Sequence, residues 1–116
     1  MKKQKLAPLL PSLKEKRRYL VFEVLTEGKI SFEETKDAIS QEFTGFLGRL
    51  YGAKAGIEFL PDWQEQKGIL RVAHTYLDHA KAALALIRKI NKKEVIVTSI
   101  GVSGTLNKAR NKFIAH

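Results

Sequence analysis

The chain has 116 residues, 44% of them hydrophobic, with a formal net charge of +9; that length suits one domain able to take about two-thirds of its unfolded surface out of water. It contains no cysteine, which excludes a disulfide framework, a thiolate metal site and a cysteine nucleophile, and leaves the redox compartment open. Residues 1–18 and 88–116 each hold seven basic residues against one acidic, whereas 19–87 hold seven against ten, so the excess sits at the two ends, as expected of a surface that meets a polyanion.

Residues 1–15 contain Pro8 and Pro11 and little periodicity, and read as an extended basic arm ahead of a single domain over 16–116. The apolar stretch Leu6–Leu13 is broken by both prolines and followed by Lys14, Lys16, Arg17 and Arg18, which argues against a targeting segment. No run approaches the roughly 18 apolar residues that cross a bilayer, so a soluble, cytoplasmic protein is expected.

The period-2 pattern from Arg17 to Leu25 predicts a first strand, with Leu20, Phe22 and Val24 on one face and Tyr19, Val21 and Glu23 on the other. Gly28 marks a turn. Ser31 and Glu34 form a capping box ahead of Phe32, Ile39, Phe43, Phe46, Leu47 and Leu50 at helical spacing; the helix is expected to reach about Tyr51 and stop at Gly52. Gly56–Leu60 and Gly68–Ala73 read as two strands of a hairpin separated by Pro61, Asp62 and a polar stretch to Lys67. Thr75 with Asp78 opens a second helix whose stripe is Leu77, Ala80, Leu84 and Ile87 and which ends near Asn91. Val95–Val102 is the fourth strand, and Ser103 caps a last short helix with Leu106, Ala109 and Phe113 on one side and Lys108 and Lys112 on another.

The order is β-α-β-β-α-β plus a terminal helix. It defines an α+β fold, a ferredoxin-like or RNA-recognition-like open-faced sandwich with an extra C-terminal helix. The first and third strands should be central neighbours, with Glu23 and Arg71 meeting on the open face. Val21 and Ile69 share that face and are too apolar to stand bare, so they are expected to lie under the last helix or to form a partner interface.

Chemistry-bearing clusters are sparse. His74, His79 and His116 offer no nucleophile–base or ligand set, and Glu33, Glu34 and Asp37 are explained by the macrodipole of a helix start without a metal. Gly101 and Gly104 could cradle a phosphate, although a strand-to-helix turn accounts for them as well. No catalytic and no metal-binding residue is assigned. The cations that project without nearby acids, Lys14, Lys16, Arg17 and Arg18 in the arm and Lys108, Arg110 and Lys112 in the last helix, are the candidate RNA contacts, joined by Arg71 on the sheet. The third strand has no aromatic residue at a stacking position, so base stacking on the sheet is not expected.

Three blocks together resemble the ribonuclease P protein component 2 family of archaea and eukaryotes: residues 10–23, Leu-Pro-Ser-Leu-Lys-Glu-Lys-Arg-Arg-Tyr-Leu-Val-Phe-Glu; Gly68–Val72 followed by Ala82–Ile87; and Gly101–Thr105 followed by Lys108 and Ala109. The resemblance runs over nearly the whole chain. It implies a ferredoxin-like subunit of an endoribonuclease whose RNA component, using magnesium, removes 5′ leaders from precursor tRNAs, with no cofactor held by this chain. It also implies ribonuclease P RNA, ribonuclease P protein component 3 and other ribonuclease P proteins as partners, indirect contact with precursor tRNA, and homodimerisation within a heterotetramer. Another RNA-binding or ribosomal protein on the same fold is the competing expectation.

Overall fold

The computed structural model describes residues 16–114; the predicted arm, with Lys14, and His116 lie outside the described residues. Strand β1 (Arg17–Leu25) is followed by α1 (Phe32–Ala55), β2 (Glu58–Gln64), β3 (Lys67–Ala73), a 3-10 turn (His74–Tyr76) and α2 (Leu77–Leu86). A two-residue hairpin of β4 (Lys89–Ile90) and β5 (Lys93–Glu94), then β6 (Ile96–Ser103), α3 (Leu106–Ala109) and a π-helical turn to Ile114 complete it. The main sheet is antiparallel in the order β2-β3-β1-β6, which is the split β-α-β topology expected.

The alternation in β1 divides the protein. Leu20, Phe22 and Val24 face α1 and α2 and close a core with Ile39, Phe43, Leu70, Val72 and Leu84. Val21 and Ile69 face the other way and are 0% exposed beneath Ala109 and Ile114. The open face is therefore closed over this stretch by the chain's own last helix, because its apolar side, Leu106, Ala109 and Phe113, matches the apolar row on the sheet. A partner interface through Val21 and Ile69 would require that helix to leave. Glu23 and Arg71 do not meet: β1 pairs with β3 in a register that sets Glu23 opposite Lys67 and Tyr19 opposite Arg71.

Helix α1 begins as its sequence dictates. The Ser31 hydroxyl accepts from the Glu34 N–H at 3.1 Å and the Glu34 carboxylate accepts from the Ser31 N–H at 3.0 Å. Its end lies beyond the expected stop, since Gly56 rather than Gly52 takes the left-handed conformation (φ 62°) that terminates it. Gly48, with φ 77°, kinks the helix, and of the expected apolar stripe Phe46 before the kink and Leu50 after it stand exposed.

Two boundaries fall elsewhere than expected because tight turns were hidden in residues that do not advertise them. Strand β2 runs through Pro61 to Gln64, with an irregularity between Phe59 and Trp63; as an edge strand it tolerates the missing N–H. The turn is Glu65-Gln66, both left-handed (φ 53° and 60°). Gln66 is held there by its side chain, which accepts from the Ile30 N–H at 2.6 Å and donates to the Val24 carbonyl at 2.8 Å.

Likewise α2 starts at Leu77, with Tyr76 at the cap position, and stops at Leu86, short of Asn91. Ile87 and Ile90 bury their side chains from extended backbone, while Asn91 and Lys92 (φ 51° and 69°) turn the β4–β5 hairpin. At α3 the cap is Thr105, whose hydroxyl accepts from the Lys108 N–H at 3.2 Å; Ser103 serves the turn before it. Among the described residues no helix is long and apolar enough to cross a membrane.

Candidate nucleic-acid interface

Among the described residues, the sheet brings the start of β1 beside the last helix. Tyr19 pairs with both Arg71 and Ser103, so Lys16, Arg17 and Arg18 at the start of β1 sit at the sheet end from which α3 departs with Lys108, Arg110 and Lys112. Lys16 and Lys108 are exposed. The Lys112 ammonium lies 5.6 Å from the Phe113 ring centroid.

The arginines at this pole are largely engaged within the chain. Arg71 forms an ion pair with Glu58, its Nε donating at 3.0 Å. That contact holds the Glu58 carboxyl below its usual pKa and raises the Arg71 guanidinium, to which Tyr19 also contributes. Arg17 donates to the Gly56 carbonyl at 2.9 Å and lies 3.8 Å from Glu58. Arg110 forks onto Asp62 at 2.8 and 3.0 Å, tying α3 to the edge strand and raising its own pKa. Arg18 donates to the Arg17 carbonyl at 3.1 Å. Arg71 and Arg110 thus brace the covered face through carboxylates, Arg18 is half-buried, and Lys16, Lys108 and Lys112 are the exposed lysines here.

Four of the seven basic residues of the C-terminal stretch lie elsewhere. Arg88, Lys89, Lys92 and Lys93 surround the β4–β5 hairpin, which precedes β6 at the opposite end of the sheet, where Leu25 pairs with Ile96. All four are exposed. The extent of β1 separates the two basic poles by about 26 Å at ~3.3 Å per residue. Counting charge along the chain merges these groups; only the hairpin separates them, and its one sequence signal is Asn91, a residue that tolerates left-handed backbone.

The remaining candidates have local explanations. Glu34 belongs to the capping box and also accepts from the Asn91 amide; the Ser31 N–H, foremost, and that amide hold it below its usual pKa. Glu33 pairs with Lys36 at 3.1 Å. Among the described residues no three His, Asp or Glu side chains converge as a metal site. The His79 ring packs near Phe46 and Tyr76, and the His74 N–H caps the Lys16 carbonyl at 2.8 Å. A Cβ at Gly101 would collide with the Phe113 ring, so this glycine is required by helix packing rather than by a phosphate.

A four-stranded antiparallel sheet with two helices on one face, a short helix on the other and lysines at both ends defines a small basic domain of the ferredoxin-like class. The match to the Rpp14/Pop5 family covers residues 18–114, and the chain belongs to that family. It is 37% identical over 108 residues to ribonuclease P protein component 2 of Thermococcus gammatolerans, covering 92% of this chain and 90% of that one. With its counterpart from Methanosarcina barkeri the identity is 35% over 106 residues, 91% of this chain and 78% of the relative. A chain in the cryo-EM structure of yeast ribonuclease MRP superposes with a TM-score of 0.65 over 80% of this chain and 77% of its own, at 13% identity, a likeness of fold.

Proposed function

We propose that the chain is a non-catalytic protein subunit of ribonuclease P that binds the RNA component and supports removal of 5′ leaders from precursor tRNAs. Family membership over 18–114 carries the reading, and the outward-facing lysines supply the physical means. Lys16, Arg18 and Lys108, with Lys14 of the arm and Lys112, neutralise backbone phosphates of the folded RNA and so stabilise its active conformation at lower magnesium. Cleavage chemistry resides in metal ions held by the RNA. Ribonuclease P protein component 3 and further ribonuclease P proteins are the proposed protein partners, with this chain pairing with itself inside a heterotetramer.

Binding to the cognate ribonuclease P RNA tests this reading. About six neutralised phosphates give a slope of log affinity against log salt near −4, with the single-strand coefficient, and an unrelated structured RNA of equal length should compete poorly. A slope near zero, or equal competition by the unrelated RNA, contradicts it.

A further inference from the structure

The β4–β5 hairpin is built to present cations. Its base is closed by the Val95 N–H donating to the Arg88 carbonyl at 2.9 Å, and its tip is the left-handed pair Asn91-Lys92. Three further bonds fasten it to the β1–α1 loop and the first turn of α1: Lys93 Nζ to the Lys29 carbonyl at 2.9 Å, Thr26 Oγ1 to the Glu94 carbonyl at 2.9 Å, and the Asn91 amide to Glu34. Fixed backbone lowers the entropy lost when its side chains engage a ligand.

Among the described residues, Arg88, Lys89 and Lys92 are paired with no carboxylate, in contrast to Arg17, Arg71 and Arg110 at the other pole. Arg88, Lys89 and Lys93 line one open groove with Gly28, Leu25 and Ile96, and Lys29 stands on its neighbouring loop. The acids of that groove are Glu27 and Glu94. Unpaired cations around a shallow groove match a phosphate backbone, where each cation releases a condensed counterion.

We propose that the β4–β5 hairpin is a second RNA-backbone contact, so that the protein bridges two phosphate tracts about 26 Å apart, one at each end of β1. The proposal rests on the RNA-binding reading above and adds to it the surface formed by Arg88, Lys89 and Lys92.

The test uses the full chain and its cognate ribonuclease P RNA, comparing the wild type with the triple variant Arg88→Gln, Lys89→Gln, Lys92→Gln, which leaves Lys93 to hold the Lys29 carbonyl. The expected result is a slope shallower by about 2, from three phosphates at ~0.7 each, and affinity lower by about tenfold or more at low salt, with Tm unchanged. If the triple variant melts early, the single variants K89Q and K92Q carry the test, each expected to flatten the slope by about 0.7. A wild-type slope near −4 that the variants leave intact overturns the hairpin contact and leaves RNA binding standing. Intact RNA binding with lost binding to component 3 assigns the hairpin to a protein partner and also overturns it. A wild type with no salt-dependent binding overturns the underlying reading itself.

Discussion

At the residue scale, single atoms fix where the helices begin and how closely they pack. Removing the Ser31 hydroxyl orphans the Glu34 N–H at the start of α1, so Ser31→Ala should lower stability by about 1 kcal/mol in urea denaturation. Glu34 is held below its usual pKa of 4.5, chiefly by the Ser31 N–H and the Asn91 amide. A folded-state pKa below the unfolded one gives a contribution that is fully present above pH 4.5 and lost as pH falls through the depressed value. Stability measured from pH 6 to pH 3 should therefore fall less steeply in Glu34→Gln than in the wild type. Gly101 is occupied from above by the Phe113 ring. Gly101→Ala should cost about 1–3 kcal/mol through overpacking, and a cycle with Phe113→Ala should be strongly non-additive, since the small ring-less side chain removes the clash.

At the element scale, what was legible in the sequence was what has a period or a cap. The period-2 faces of Arg17–Leu25 and the Ser31–Glu34 box specify β1 and the start of α1 without reference to the rest of the chain. The Glu65-Gln66 and Asn91-Lys92 turns were not legible, because three of those four residues have little intrinsic preference for left-handed backbone and Gln66 is kept there by bonds to Ile30 and Val24, 36 and 42 residues away in sequence. Ile87 fits a helical stripe equally well from an extended segment, so the helix reading ran past Leu86. For the candidate site the outcome is similar. The cations at the start of β1 and in the last helix were visible as charge, whereas the partners of Arg71 and Arg110, Glu58 and Asp62, come from β2 through tertiary register. Helix α3 is the cover of the Val21–Ile69 row. Truncation after Gly104 should expose that row, which a hydrophobic dye reads as increased fluorescence with the sheet's circular dichroism retained; no change in dye binding would contradict the cover.

At the scale of the whole molecule, the fold sets the described basic residues that flank β1 and follow α2 at two separated poles, one at either end of one sheet. One pole gathers the start of β1 with α3 and pairs Arg17, Arg71 and Arg110 with its own carboxylates. The other presents unpaired cations on a bonded hairpin. In the proposed function this chain would act by lowering the electrostatic cost of a compact RNA. The direct measurement is cleavage of a precursor tRNA by the cognate ribonuclease P RNA with protein component 3 at limiting magnesium, with and without this chain. The account predicts a clear rate gain that depends on this chain and shrinks as magnesium is raised. No gain, with component 3 shown to be folded and bound, would contradict it.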